Sequence, residues 1–222
     1  MKCLKDGKSL KNNNIFLEFY RIKFIILFLI FKSEKMINDF DFLTTCDISG
    51  FLKEEIRSIL LYKSNFKDTD IVLDINCGVG EISAEFSNLA QKVYAIDESL
   101  QAITISEENI KKHGNIDKVE LINENELSAI EKIDDFDIAI LKAKNENFNE
   151  IIDKINEKIN SKGRILILSN ILDYEVAIVK KLDELNYNPQ ITQINISKGL
   201  LLNKGIKLES QNPMTIISVK KR

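Results

Sequence analysis

The sequence offers little with which to bind a metal or close a disulfide. Its 222 residues include a single histidine, His113, and three cysteines, Cys3, Cys46 and Cys77, odd in number and far apart. No C-x-x-C pair and no His/Cys ligand spacing occurs, which argues against a disulfide framework and against a structural zinc site. The chain reads as reduced and cytoplasmic, with no metal bound by the protein. An excess of basic charge is also missing. The formal net charge is −3, and nothing in that balance calls for nucleic acid as a partner. Local donors in an acidic protein still bind anions, so the total leaves the substrate open. Tryptophan is absent and proline occurs only twice, while Asn, Ile and Lys are abundant, a pattern of coding bias rather than of chemistry. Apolar residues at 44% and charged residues at 29% are the proportions of a soluble globular chain with one good-sized core.

No apolar run is long enough to span a membrane. "FIILFLIF" (24–31) is unbroken, preceded by Glu18, Arg21 and Lys23 and followed by Lys32. A spanning helix needs about 20 apolar residues, well beyond this run. The basic start imitates a signal peptide, but no small-residue cleavage site follows. Two readings remain: a weak membrane-surface anchor, or an extension preceding a true start at Met36. The length favours the extension, which divides the chain into residues 1–35 and a domain over 36–222.

After Met36 the pattern becomes regular. "LKEEIRSILLYKS" (52–64) has helical apolar spacing, and "IVLDI" (71–75) is a buried strand run between Asp70 and a glycine loop. Helix 81–90, strand "KVYAID" (92–97), helix 99–112 and strand "VELIN" (119–123) follow. A short helix near 126–132 leads to strand "FDIAIL" (136–141). Helix "FNEIIDKINEKI" (148–159) carries Ile151, Ile152, Ile155 and Ile159 on one face, and residues 160–163 turn into strand "RILILS" (164–169). Helix 173–186 precedes two final strands, about 190–197 and 214–220, joined by a long connection. Alternating strands and helices predict a mostly parallel sheet covered on both faces. The last two strands, with no helix between them, predict an antiparallel pair at one edge. No repeat, low-complexity tract or linker divides this domain.

In open α/β sheets, ligands bind beyond the carboxyl ends of the strands. Strand one ends in Asp74 and runs into Asn76, Cys77, Gly78, Val79 and Gly80, which open a helix. The glycines permit a tight turn and close approach of a ligand to the backbone. Strand two ends in Asp97, where an acid can accept both hydroxyls of a ribose. The plain alternatives are a tight strand-to-helix connection, and an N-cap for the helix starting near Ser99. On consecutive strands and at this spacing, the two features together favour a cofactor site.

A pyrophosphate fingerprint would be G-x-G-x-x-G, with helix N–H groups aimed at phosphates. Here the loop is "CGVGEIS", and Glu81 at the helix start repels a pyrophosphate. S-adenosyl-L-methionine has no phosphate, and its amino-acid end and sulfonium suit an acidic pocket. The series "VLDINCGVG", "VYAID", "VELINENEL", "FDIAIL" and "INSKGRILIL" fits a Rossmann-like class I methyltransferase: a seven-stranded, mostly parallel sheet with an antiparallel C-terminal strand.

The resemblance narrows further. Residues 36–222 resemble the decarboxylating cobalt-precorrin C-15 methyltransferases of cobalamin biosynthesis, from "MINDFDF" through "LKEEIR", "VLDINCGVGEISAE", "VYAIDESLQAI" and "EENIKKHG". The most discriminating part is "ITQINISKGLLLNKG" followed by "SQNPMTIISVKK". The resemblance implies methylation of a cobalt-precorrin (precorrin-6B/7 type) at C-15, with loss of carbon dioxide from the C-12 acetate. It implies S-adenosyl-L-methionine as methyl donor, a corrinoid substrate and a homo-tetramer. It further implies that the backbone of Asn76–Gly80 cradles the methionine part, that Asp97 holds the ribose, that Asn125 and Glu126 flank the adenine, and that Leu52 lies near the cofactor. Asn76 stands where the family has glycine, and asparagine is a residue that tolerates a left-handed backbone. Asn125 replaces an aspartate. The family's glycine-rich segment after strand four is here "KAKNEN" (142–147), with no glycine, where donor meets substrate.

No catalytic base is assigned, because methyl transfer is a displacement that needs mainly alignment and the macrocycle can act as electron sink for decarboxylation. Candidates for the substrate's carboxylates are Lys142, Lys144, Lys198, Lys204 and Asn212; for each lysine the alternative is a solvated surface charge. His113 reads as a helix-end dipole partner beside Gly114, and Cys77 as a packing residue. Two other readings of the function stay open: a class I methyltransferase on another substrate, and a non-catalytic cofactor-binding relic.

Overall fold

A computed structural model describes residues 36–48, 51–203 and 205–222. The extension expected over 1–35, with its apolar run, lies outside the described residues, as does Lys204. Nine strands and six α-helices are formed among the described residues. α1 (Glu54–Ser64) precedes β1 (Ile71–Ile75), α2 (Glu81–Leu89), β2 (Lys92–Ile96), α3 (Leu100–His113) and β3 (Val119–Ile122). Then come α4 (Glu126–Lys132), β4 (Phe136–Lys142), α5 (Phe148–Lys158), β5 (Ile159–Ser169) and α6 (Leu172–Glu184). The chain continues through β6 (Gln190–Ile194), β7 (Ser197–Leu202), β8 (Gly205–Ser210) and β9 (Met214–Lys220).

Seven strands make one sheet in the order β3-β2-β1-β4-β5-β9-β6. β3, β2, β1, β4 and β5 pair in parallel, while β9 is inserted antiparallel between β5 and β6. The core follows from the two-residue period of a strand. Val72, Ile138, Ile140, Leu166, Leu168 and Ile216 pack on one face with Leu60, Ile82 and Phe86 of α1 and α2. Leu73, Leu141, Ile165, Ile167 and Ile217 pack on the other with Ile151, Ile152 and Ile155 of α5 and Ile178 and Leu182 of α6. Each such side chain contributes roughly 1.5–3 kcal/mol when taken fully out of water. Both faces being apolar, the strands read as continuous hydrophobic runs.

Two stretches differ from the sequence expectation. The turn expected at 160–163 is the irregular start of β5, which begins at Ile159 and shifts register against β4 between Phe136 and Ile138. Lys162 there has φ 65°. The long connection before β9 is itself structured: β7 and β8 pair antiparallel as a separate two-stranded sheet. No helix among the described residues is long and apolar enough to cross a membrane.

The chain runs β1, β2, β3 toward one edge and then crosses back, so that β4 lies on the other side of β1. That reversal is the switch point at which open α/β sheets form their crevice. The carboxyl ends of β1, β2 and β4 meet there.

Candidate active site

The loop after β1 turns through three left-handed residues, Asn76 (φ 61°), Gly78 (φ 64°) and Gly80 (φ 78°). Asparagine is tolerated at the first because its short polar side chain can bond locally. Here its Nδ2 donates to the Lys142 carbonyl at 3.1 Å. At Gly80 a side chain has no room, since an added Cβ would lie 2.8 Å from Ser106 Oγ. Two residues of α3 hold the loop from outside. Ser106 Oγ donates to the Gly78 carbonyl at 2.9 Å, and Asn109 Nδ2 to the Val79 carbonyl at 2.8 Å. Asn109 also exchanges hydrogen bonds with both backbone groups of Leu43, at 2.8 and 2.9 Å. The segment preceding α1 is thereby fastened beside the loop.

Three buried acids, Asp97, Asp74 and Glu81, surround this turn, and a fourth, Glu126, begins α4 after β3. Asp97 Oδ2 accepts the Gly78 N–H at 3.0 Å, its Oδ1 accepts the Ser99 N–H at 3.0 Å, and Lys144 Nζ stands 3.7 Å from Oδ2. The cap of α3 is Ser99 itself, whose side chain accepts the Ala102 N–H. Asp74 accepts the Ser83 hydroxyl at 2.7 Å on Oδ2. Burial pushes the Asp74 carboxyl up to about 6, against the pull of the Lys142 ammonium and the Ser83 hydroxyl. Glu81 Oε1 accepts from Lys142 Nζ at 2.8 Å and from the Leu52 N–H at 3.2 Å. Glu126 Oε2 accepts from Asn125 Nδ2 at 3.2 Å. Asp74 Oδ1, Glu81 Oε2 and Glu126 Oε1 are buried without a hydrogen-bond partner among the described residues.

The sequence candidates therefore fall into two sets. Asn76–Gly80, Asp97 and Lys142 form one connected cluster, which Lys144 joins through Asp97 and Leu52 through Glu81. Asn125 and Glu126 open α4 immediately after β3, and the Asn125 Oδ1 accepts the Leu127 N–H at 3.1 Å as the helix cap. Lys198 lies elsewhere, its Nζ 3.0 Å from Glu55 and 3.7 Å from Asp39. Asn212 is exposed on the turn before β9. Lys142 is buried, not a solvated surface charge. Burial opposes its ammonium, but Glu81 and Asp74 outweigh that and hold its pKa above the ordinary lysine value. Cys77 is fully buried, its sulfur 3.7 Å from Ser106 Oγ, and burial pushes the thiol far up. His113 Nε2 lies 2.8 Å from the Asp41 carbonyl.

Residues 57–197 match the family described as methyltransferase small domain. A protein of Methanobrevibacter smithii, named a probable cobalt-precorrin-6B C(15)-methyltransferase (decarboxylating), is 42% identical over 187 residues, 84% of this chain and 100% of that protein. The chain belongs to the cobalt-precorrin-6B C(15)-methyltransferase (decarboxylating) family. A member of this family from Methanothermobacter thermautotrophicus is 30% identical over 182 residues, 82% of this chain and 95% of that one. The crystal structure of precorrin 8W decarboxylase from Methanobacterium thermoautotrophicum superposes with a TM-score of 0.81 at 30% identity, covering 83% of this chain and 99% of that chain. A precorrin-6y C5,15-methyltransferase from Geobacter metallireducens gives 0.77 at 26% identity, covering 83% and 97%. The architecture is the class I methyltransferase fold of these neighbours.

The residues present fit the family's methyl donor, S-adenosyl-L-methionine. Three unpartnered carboxylate oxygens and a glycine cradle suit a ligand with an ammonium, a sulfonium and hydroxyls, and they repel a polyphosphate. No group of His, Cys, Asp or Glu able to hold a metal occurs among the described residues. Sequence reasoning missed Ser106 and Asn109 as loop supports. Their signal was a pair of small polar residues at i, i+3 on one face of a helix.

Proposed function

We propose that this chain transfers a methyl group from S-adenosyl-L-methionine to C-15 of a cobalt-precorrin and releases the C-12 acetate carboxyl as carbon dioxide, in cobalamin biosynthesis. The observation that carries this is the 42% identity extending over the whole length of the Methanobrevibacter smithii protein named a probable cobalt-precorrin-6B C(15)-methyltransferase (decarboxylating). The site geometry supports it. The Asn76–Gly80 backbone holds the methionine part, with Asp74 Oδ1 as a buried acceptor beside it. Asp97 takes the ribose hydroxyls, held in position by the Gly78 and Ser99 N–H groups. Asn125 and Glu126 bound the adenine, and Leu52 covers the cofactor. S-adenosyl-L-methionine supplies an activated methyl group when bound. The protein's own task is to align it with the ring carbon in a dry crevice, and orientation of this kind can supply roughly 7–11 kcal/mol.

Lys144, whose side chain is 31% exposed above Asp97, is the cation best placed to meet a substrate carboxylate at the strand ends. Lys198, Lys204 and Asn212 remain candidates for carboxylates farther out on the macrocycle. The domain is residues 36–222 with its start at Met36, and the protein is cytoplasmic. N-terminal sequencing of the native protein tests the start.

The assembly we infer is a homo-tetramer. β7 and β8 expose Leu200, Leu201, Leu202, Ile206 and Leu208. Leu201, Ile206 and Leu208 share one face of the two-stranded sheet, which is apolar and bare, while Leu200 and Leu202 share the other with Lys198, Lys207 and Glu209. Such a sheet is marginal alone in water, and apolar patches of this kind mark interaction surfaces.

Incubation with the precorrin substrate and S-adenosyl-L-methionine, followed by mass spectrometry, tests the activity. Gain of one methyl with loss of one carbon dioxide is expected. A methyl gain alone would remove the decarboxylase half, and no change would favour another substrate. Absence of cofactor binding by calorimetry would leave no methyltransferase reading.

A further inference from the structure

Lys142 ends β4 with its side chain only 7% exposed. Its Nζ donates to the Cys77 carbonyl at 3.0 Å and to Glu81 Oε1 at 2.8 Å, while its own carbonyl accepts Asn76 Nδ2 at 3.1 Å. One residue thus grips the left-handed turn on both sides. Its ammonium lies directly against the loop, 3.6 Å from where a Cβ on Gly78 would stand. The same Glu81 oxygen accepts the Leu52 N–H at 3.2 Å, which ties in the segment before α1. A side chain so placed directs its ammonium at the loop and not at the surface.

A buried ion pair is a poor source of net stability, because desolvation offsets most of the attraction. What it does provide is direction. An ammonium carries three donors on one atom, and here two of them fix a peptide carbonyl and a carboxylate relative to each other. The peptide concerned, Cys77–Gly78, carries the N–H that Asp97 accepts. A change in the orientation of the Cys77 carbonyl would carry that N–H away from the carboxylate.

We propose that Lys142 is a positioning residue for the methyl donor: through the Cys77 carbonyl and Glu81 it holds the Asn76–Gly80 backbone and the Leu52 amide in the one arrangement that receives the cofactor. This rests on the reading of that loop as the S-adenosyl-L-methionine site. Without Lys142 the loop divides its population among several arrangements, and apparent affinity falls by the fraction that stays competent.

The test uses the full chain, with Lys142→Met and the double variant Lys142→Met/Glu81→Gln, which also removes the charge of the carboxylate that Lys142 bonds to. Calorimetry with S-adenosyl-L-methionine, thermal unfolding and steady-state kinetics are measured on both. The double variant should unfold within about 5 °C of wild type, yet bind the donor about tenfold or more weakly. The donor KM should rise by a similar factor, with the precorrin KM little changed. Recovery of donor affinity together with thermal stability would make Lys142 merely structural and overturn the proposal. A rise confined to the precorrin KM would overturn it in favour of a substrate contact. Wild-type protein that binds no S-adenosyl-L-methionine would instead remove the cofactor reading beneath it.

Discussion

Asp74→Asn tests how the buried end of β1 holds its charge. Burial raises the Asp74 carboxyl from its ordinary 3.8 to about 6. A group whose folded-state pKa is raised contributes stability that is fully present below its unfolded pKa and lost as pH rises through the folded one. For Asp74 the loss falls between about pH 4 and pH 6, and two pK units amount to about 3 kcal/mol. Asparagine does not titrate, and its carbonyl can still accept the Ser83 hydroxyl. Any mismatch of its NH2 at the place of Oδ1 is the same at every pH. Urea unfolding of both proteins at pH 4.5, 5.5, 6.5 and 7.5 should show the variant gaining on wild type with rising pH, by about 2 kcal/mol across the range. Burial also raises the Glu85 carboxyl, but that contribution is common to both proteins and cancels in the difference. A difference that stays flat from pH 4.5 to 7.5 would refute the raised Asp74 carboxyl.

Gly80→Ala should lower the thermal midpoint by roughly 5–15 °C, from a left-handed alanine at roughly 1–2 kcal/mol and a methyl forced against Ser106 at roughly 1–3 kcal/mol. Ser106→Gly in the same chain should return part of the loss, and a midpoint unmoved by Gly80→Ala would contradict the tight cradle. Arg57→Ala should destabilise by about 3–5 kcal/mol in urea unfolding. The Arg57 side chain is 1% exposed between Asp39 at 2.8 Å and Glu85 at 3.2 Å, and a loss below about 1 kcal/mol would place it among surface pairs. Leu201→Glu with Ile206→Glu, directly paired across the hairpin, should yield a smaller species by sedimentation equilibrium. An unchanged mass would exclude the hairpin from the assembly.

Most of the sheet is legible in the sequence, because strands covered on both faces appear as short runs of Ile, Val and Leu between turn residues. The antiparallel pairing of the last core strands also follows, since no helix lies between them to make a parallel crossover. β7 and β8 do not follow. "SKGLLL" and "GIKLES" have strand-like composition, but their apolar residues are exposed, and no core-facing alternation marks them. The cofactor loop is legible because glycine spacing and a strand-end acid are local signals. Lys142 is not: whether a lysine is solvated or buried depends on Glu81, 61 positions away in the chain. Arg57 is hidden for the same reason, since Asp39, Glu85 and the backbone of Ile37 and Leu52 converge on it only in the folded chain.

The insertion of β9 between β5 and β6 imposes a timetable on synthesis. β6 leaves the ribosome before the strand that must separate it from β5, and at about 5–20 residues per second the wait for β9 is on the order of 1–5 s. During that interval β5 presents an open edge of backbone N–H and C=O groups that pair with β9 in the finished sheet, and β6 has no neighbour in register. An open edge of this kind is a template for pairing with another nascent chain. The second half of the sheet therefore closes by a long-range step rather than by zipping along the chain, and crowded ribosomes carrying this message expose the same edge side by side.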